Sequence, residues 1–115
     1  METLVEHQRL DAVFTALSDP TRRDIVSRLS SGEATVKELA ERYAMSMQAV
    51  SQHIRVLERS GLISQGRHRQ TRPCRLEPAA LEAALSWIEE SRRTWSDRMN
   101  RLETHLARLQ ERENQ

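Results

Sequence analysis

Apolar residues in the first part of the chain recur at intervals of three and four, which is the spacing of one helix face. The first series consists of Leu10, Val13, Phe14 and Leu17. It stops before Pro20, because proline disfavours helix at the residue that precedes it. A second helix is expected directly afterwards, with Asp19 as its N-terminal cap and Pro20 in its first turn. Its buried stripe comprises Ile25, Val26 and Leu29, whereas Arg22, Arg23 and Arg28 are expected to stay outside.

A third and a fourth helix follow, joined by a tight connection. The third is predicted to begin after Thr35, whose hydroxyl can cap it while Glu38 completes a capping box. Ser46 is the expected cap of the fourth helix, and Gly61 ends it at a position that requires a left-handed residue. Two short helices joined by a tight turn form a helix-turn-helix, which we place at residues 35–60.

The periodicity changes after the fourth helix. Two short runs, 62–65 and 73–76, flank a polar centre that contains Gly66. Short runs of this kind on either side of a glycine indicate a β-hairpin. We therefore interpret residues 62–76 as a hairpin that follows the helix-turn-helix.

From residue 78 onward the apolar residues form a heptad-like seam, interrupted at Arg92. A seam of this length exceeds what one short helix can cover. We therefore predict that residues 1–18 and 78–112 form a homodimer interface; packing of the two helices within one chain is the alternative. The predicted interface comprises Leu10, Val13, Phe14, Leu85, Ile88, Trp95, Met99, Leu102, Leu106 and Leu109.

The fourth helix is predicted to have an unusual polar face. An advance of about 100° per residue places Val50, Ile54 and Leu57 on one side. The other side presents two amides, a hydroxyl and two guanidiniums, from Gln48, Ser51, Gln52, Arg55 and Arg59. In the major groove of DNA, glutamine bonds bidentately to adenine and arginine to guanine. This set of side chains therefore favours a DNA-reading surface over a merely solvated face.

Charge is segregated along the chain, although the net charge of the whole is only +1. Residues 46–76 contain six arginines and one glutamate, a net charge of +5, and the remainder holds 12 basic and 16 acidic residues, a net charge of −4. A local positive field indicates a polyanionic partner. We expect Arg67, Arg69 and Arg72 in the hairpin to neutralise phosphates or to enter the minor groove. Two helix starts are expected to hold phosphates, through Ser46, Met47, Thr35 and Lys37.

Composition and motif content limit the fold class, the cellular location and the kind of function. A chain of 115 residues with 37% hydrophobic and four aromatic residues suits one domain built mainly from helices. Its start does not resemble a signal peptide and no apolar run approaches membrane-spanning length, so we expect a cytoplasmic protein without membrane contact. No nucleophile with a base, no carboxylate pair and no glycine-rich phosphate loop can be identified. We therefore do not expect an enzyme.

Several motifs occur in a fixed order: "ALSDPTRRDIV", "TVKELA" and "SMQAVSQHIRVLERSGLI" within residues 10–76, and "LSWIEESRRTWSDRMNRLETHL" after them. The first three resemble the ArsR-type winged helix-turn-helix transcription regulators. The last is similar to the long terminal helix of a metal-free branch of that family. Together with the periodicity, the resemblance implies a mainly α fold with a small β-hairpin, in the order α-α-α-α-β-β-α. This would be a single winged helix-turn-helix domain over residues 1–115, with a wing at 62–76, that dimerises through its first and last helices.

The resemblance also implies a function. It predicts a sequence-specific transcriptional regulator, a homodimeric repressor that binds a palindromic promoter operator with helix 46–60 in the major groove. It assigns base contacts to Gln48, Ser51, Gln52 and Arg55 and wing contacts to Arg67, Arg69 and Arg72, the same residues that the polar face and the charge select. A winged-helix scaffold for protein interaction, without sequence-specific DNA binding, is the alternative.

The chain departs from the metal-sensing members of that family. Where those proteins carry Cys-x-Cys on the third helix, this sequence has "VKELAERY". On the last helix Asp97 is followed two residues later by Met99, and His105 stands alone. Because transition-metal sites need several convergent nitrogen or sulfur ligands, we expect no metal and no other cofactor, apart from the alternative of a site shared between chains. The sequence identifies no small-molecule effector.

Four residues allow two interpretations each. His53 matches the family pattern, but its angle on the helix favours a partly buried histidine with a local bond over a base reader or ligand. Cys74, flanked by arginines, is either a redox-sensitive thiol or a small residue that fills a strand position, and we favour the second. Trp87 and Trp95 either line a ligand cavity or fill a core or interface, and again we favour the second.

Overall fold

The computed structural model describes residues 4–66 and 72–114 of the chain. Helices dominate these residues, as predicted, and a small sheet accompanies them. The elements are α1 (Leu4–Leu17), α2 (Pro20–Leu29), β1 (Ala34–Thr35), α3 (Val36–Glu41), α4 (Met47–Arg59), β2 (Ile63–Gln65), β3 (Pro73–Leu76) and α5 (Pro78–Glu113). None of the helices among these residues is long and apolar enough to cross a membrane.

The helices begin and end at the capping residues and the glycine that the sequence predicts. Asp19 caps α2 by accepting a bond from the Arg22 N–H at 3.0 Å, and Thr35 and Glu38 form the predicted capping box of α3. Gly61 ends α4 with a φ of +84°, a conformation that side chains with a Cβ disfavour. The predicted caps are thus confirmed, and each N-terminal cap contributes about 1 kcal/mol to stability.

The sheet contains one strand more than the predicted hairpin. Strands β2 and β3 form the expected antiparallel pair, and β1 joins the other edge of β3, giving the order β1-β3-β2. Ala34 lies opposite Cys74, and Ser64 lies opposite Arg75. A strand of two residues carries no readable periodicity, and it forms because β3 offers it free backbone groups. The sequence could not indicate it.

The core is built from apolar residues contributed by α1 to α4 and the sheet. On α4, Val50, Ile54 and Leu57 are between 0% and 1% exposed. Val13 of α1 is only 3% exposed and belongs to the same cluster, with Leu10 and Phe14 half-buried against it. Val13 was predicted to lie at a dimer interface, but its side chain has almost no surface left for a second chain.

Cys74 is fully buried in this core. Burial away from water raises the pKa of its thiol to about 11, and the nearby charge of Glu58 acts in the same direction. The thiolate is the reactive form of cysteine, and at neutral pH this thiol is protonated. The structure thus favours the strand-filling interpretation, and the flanking arginines do not lower the pKa as a redox-active thiol would require.

The chain divides into two compact units, Met1–Ala84 and Leu85–Gln115. The first unit contains the core and the opening turns of α5, from which Ala84 is buried and Leu81 packs against the cluster. The second unit consists of the remainder of α5. Along it the predicted seam is open: Leu102, Leu106 and Leu109 are 48%, 49% and 42% exposed, and Trp87 and Trp95 are 44% and 63% exposed. The tryptophans therefore do not fill a core of this chain.

Candidate nucleic-acid interface

The two faces of α4 are sorted as the sequence indicates. Its apolar side is buried, and its opposite side exposes Gln48, Gln52, Arg55 and Arg59, with Ser51 half-buried at the border. These positions are separated by three or four residues, so they form one stripe along the helix. We call this stripe the reading face. It presents amide and guanidinium groups to solvent from a helix that is held on its other side by the core.

The start of α4 offers unpaired N–H groups. The Ser46 hydroxyl oxygen accepts a bond from the Ala49 N–H at 3.1 Å, and the Ser46 carbonyl accepts one from Val50. The first two N–H groups, of Met47 and Gln48, have no partner within the helix by geometry. Met47 is 53% exposed, so the positive end of the helix dipole is accessible to an anion.

The start of α3 is less suited to a phosphate than the sequence suggested. The Thr35 N–H donates to Glu38 Oε1 at 3.2 Å, and the Thr35 hydroxyl oxygen accepts from the Glu38 N–H at 3.1 Å. Hydrogen bonds from the backbone and side chain of Thr35 lower the pKa of Glu38, so its carboxylate is charged at neutral pH. An anion approaching Thr35 meets this charge. The exposed Lys37 is therefore the better candidate at this helix start.

The described residues include the two strands of the wing and Arg72. Arg67 and Arg69, two of the three predicted wing contacts, lie outside the described residues. Arg72, the third, is exposed directly before β3. Arg75 on β3 is exposed as well, and its Nη1 lies 3.7 Å from Glu33 Oε1. Near β3 the positive charge is thus partly balanced by an acid from the loop before β1.

A polar contact ties α2 to the connection between α3 and α4. Asp24 Oδ2 accepts a bond from the Tyr43 hydroxyl at 2.6 Å and from Arg42 Nε at 3.1 Å. These two bonds lower the pKa of Asp24, whereas burial, together with the bond to Asp24, raises the pKa of Tyr43 to about 12. The phenol is thus protonated and the carboxylate ionised across the neutral range. The turn of the helix-turn-helix is held to α2 by a charge-assisted bond.

A second contact joins α2 to α4 and corrects the prediction that Arg22 stays outside. Arg22 is half-buried; its Nε donates to the Ala16 carbonyl at 2.7 Å and its Nη2 to the Thr15 carbonyl at 3.2 Å. Its Nη1 lies 3.3 Å from His53 Nδ1 on α4. The partly buried, locally bonded His53 predicted from the helix angle is confirmed. The position of Arg22 in the sequence could have indicated these contacts. It follows the end of α1 by about one turn, and the carbonyls at a helix end attract a cation.

Within residues 4–66 and 72–114, no three side chains of histidine, cysteine, aspartate or glutamate are placed to share a metal ion. His105 lies on α5 in the company of Asn100, Arg101, Thr104 and Arg108, on an open part of the helix surface.

Comparison with known proteins identifies relatives of one kind. A family described as "Helix-turn-helix domain" matches residues 17–65. The transcriptional repressor SdpR of Bacillus subtilis is 33% identical over 79 residues, which cover 69% of this chain and 88% of SdpR. The crystal structure of the ArsR family transcriptional regulator RHA00566 is 36% identical, with a TM-score of 0.76 over 84% of this chain and 97% of that one.

A solution structure from Mycobacterium bovis extends the similarity of fold. It is described as a homodimeric winged helix-turn-helix DNA-binding domain of a possible ArsR-family regulator. The two sequences are 24% identical. The superposition has a TM-score of 0.60 and covers 76% of this chain and 82% of the M. bovis chain. The arrangement of α1 to α4 with the small sheet is therefore the winged helix-turn-helix arrangement.

Proposed function

Because this chain belongs to the ArsR family of winged helix-turn-helix transcriptional regulators, we propose that it is a cytoplasmic homodimeric repressor that binds a palindromic operator. Proteins of this family bind DNA. The observation that carries it is the reading face of α4, which is exposed while the opposite side of the same helix is fully buried. Such a helix presents its polar side chains on a rigid support.

Base contacts fall to the middle of the reading face. Gln52 and Arg55 are exposed on α4 and lie one turn apart. In the major groove a glutamine can bond to N6 and N7 of adenine, and an arginine to O6 and N7 of guanine. Gln48 and Ser51 extend the same stripe towards the helix start. We therefore assign discrimination among sequences to these four residues.

Phosphate contacts surround the reading face. The open N–H groups at Met47 and the Ser46 hydroxyl lie at the positive end of α4, and Lys37 and Arg59 are exposed. Contacts of this kind fix the register and orientation of a protein on the duplex without reading its sequence. The wing adds Arg72, and we assign Arg67 and Arg69 to the same task from their sequence positions. Thr35 is a weaker candidate for a phosphate contact, because its N–H and its hydroxyl are already bonded to Glu38.

The homodimer supplies the second reading face. An exposed apolar seam on α5 needs a partner, because large apolar residues that recur along one helix face and stay open to water favour association. The described M. bovis relative is homodimeric and SdpR is a repressor. A two-fold axis would place two reading faces about 34 to 36 Å apart, one turn of B-form DNA, and the operator would mirror that symmetry.

The test begins with duplexes enriched by the wild-type protein from a random pool. Against the best of these and a shuffled duplex of equal composition, Arg55→Ala and Gln52→Ala should each reduce the discrimination ratio by about 5- to 150-fold, the equivalent of about 1 to 3 kcal/mol. Arg23→Ala on α2 is the matched control, an exposed arginine outside the reading face and outside the proposed dimer helices, and should leave the ratio unchanged. Equal losses on both duplexes would contradict base reading by α4.

Salt dependence separates the proposal from the alternative function of a protein-interaction scaffold. The wild-type affinity for duplex DNA should fall steeply as salt rises, because phosphate binding releases counterions. Lys37→Ala should weaken both duplexes equally and flatten this slope. A protein that enriches no duplex, and whose weak binding does not respond to salt, would be a scaffold instead.

A further inference from the structure

We propose that the contact between Arg22 and His53 is a positioning device that sets the rotation of α4, and that operator discrimination depends on it. The inference rests on the proposed function and adds residues that do not touch DNA in it. Arg22 belongs to α2 and His53 to the partly buried border of α4.

Arg22 is fixed from the α1 side. The carbonyls of Thr15 and Ala16 lie in the last turn of α1, and that of Thr15 also accepts the N–H and the hydroxyl of Ser18, at 3.2 and 2.6 Å. They accept bonds from Arg22 Nη2 at 3.2 Å and from Nε at 2.7 Å. Because a guanidinium is planar and rigid, two bonds from different nitrogens determine its plane. The remaining nitrogen, Nη1, therefore has a fixed direction, and in that direction lies His53.

The chemistry of the contact determines the state of the histidine. An arginine nitrogen can only donate, so His53 Nδ1 at 3.3 Å must be the acceptor. A neutral ring that accepts at Nδ1 has its proton on Nε2. Asp19 Oδ2 lies 3.8 Å from the same Nδ1, beyond hydrogen-bond distance, and already accepts the Arg22 N–H as the cap of α2. Among the described residues, Arg22 Nη1 is thus the partner of His53 Nδ1 within hydrogen-bond distance.

A small rotation of α4 would misplace the reading face. The buried contacts of Val50, Ile54 and Leu57 hold the helix against the core, but apolar contacts have no preferred direction. A rotation of roughly 10° moves a side chain about 5 to 6 Å from the helix axis by about 1 Å. Bidentate bonds to a base tolerate less than that. His53 directly follows Gln52 and comes two residues before Arg55, so a directional bond at this point restrains both.

The test uses two amides of opposite reach. His53→Asn places an amide oxygen near the position of Nδ1 and keeps the acceptor for Arg22. His53→Gln moves the amide towards the position of Nε2 and removes it. We expect His53→Asn to retain the wild-type ratio of affinities for the enriched and shuffled duplexes within about twofold, and His53→Gln to lower it by about tenfold, with similar binding of the shuffled duplex in both.

Arg22→Lys provides the reciprocal change, because lysine keeps the charge but cannot hold two carbonyls and a ring with one planar group. It should lower the ratio like His53→Gln, and the double variant should be no worse than either single one. At pH 8 the ring-nitrogen chemical shifts of His53 should identify the Nε2–H tautomer in the wild type. In Arg22→Lys they should show a mixture of the two tautomers.

The outcomes separate the two proposals. If the wild type enriches duplexes but the Asn and Gln variants show the same ratio, the positioning role is wrong and the proposed function stands. If both variants lose thermal stability and discrimination in parallel, His53 is only a structural residue and the inference is again wrong. If the wild type enriches no duplex, the proposed function fails and this inference fails with it.

Discussion

Two amphipathic helices of this chain treat their apolar sides in opposite ways. On α4, Ile54 and Leu57 are 1% and 0% exposed, and the chain itself supplies everything that covers them. On α5 beyond Ala84, Leu106 and Leu109 are 49% and 42% exposed, although they recur with the same helical spacing. The sequence periodicity therefore shows that a helix has an apolar side. Only the burial of that side shows whether the same chain covers it.

The difference separates two tasks. A helix that is held by its own chain can present a polar face in a defined orientation, as base reading requires. A helix with an open seam depends on association, so its stability is linked to protein concentration. The contact of Asp24 with Tyr43 holds the turn before α4, and the contact of Arg22 with His53 holds α4 itself. They add directional bonds to the restraint that apolar packing already places on the orientation of α4.

The largest expected effect comes from charging the open seam. Leu102→Glu combined with Leu106→Glu places four carboxylates in the proposed dimer interface and removes four leucines from it. Each buried leucine contributes about 1.5 to 3 kcal/mol, so the dimer should be lost at micromolar concentration and DNA binding should weaken with it. Sedimentation equilibrium measures this directly. A dimer of unchanged affinity would show that the seam serves another purpose.

A core truncation on α4 should cost about as much as a typical buried leucine or isoleucine. Ile54→Ala should lower the free energy of unfolding by about 2 to 5 kcal/mol, by the same amount at every protein concentration. Leu109→Ala on α5 is the matched comparison, and its effect should depend on concentration because it acts on association. Denaturant unfolding at two concentrations tests both. The comparison between the helices fails if the two variants respond alike.

Alkaline pH should weaken the core unit through Cys74. Its pKa is about 11 in the folded chain against 9.0 for a free thiol, so the folded state retains a proton that the unfolded state releases. The contribution of this thiol to the free energy of unfolding is complete below pH 9. It is lost as the pH rises from 9 to 11, which lowers the free energy of unfolding by roughly 2 to 3 kcal/mol. Thermal unfolding across this range measures it. Cys74→Ala should remove this part of the slope, and Tyr43→Phe should leave it in place.

The smallest effect is expected at the turn. Tyr43→Phe removes the bond between the hydroxyl and Asp24 and should lower stability by about 1 kcal/mol, or a few degrees in melting temperature. Arg42→Gln removes the more exposed partner of the same carboxylate and should cost less. Equal melting temperatures for the wild type and Tyr43→Phe would mean that this bond does not hold the turn.

Much of the fold could be predicted because its signals are local. Asp19, Thr35, Ser46 and Gly61 each act on the backbone within three residues, so their roles as helix ends follow from chemistry at short range. The sorting of α4 into a buried and a polar side needs only the helical period. The proposed DNA-contact residues of α4 follow from the same helical period, whereas Arg22 was missed because its partners lie in two other helices.

What the sequence by itself determined is the set of helices, their ends, the hairpin and the identity of the polar face on α4, since each follows from neighbours within one or two turns. The tertiary structure alone decided the strand β1, the complete burial of Val13 and the contact of Arg22 with His53. These depend on backbone groups and side chains far apart in the chain, and no local pattern records which of them meet. The same physics explains the open seam of α5: its leucines predict burial, but only the packed chain shows that this chain leaves them exposed.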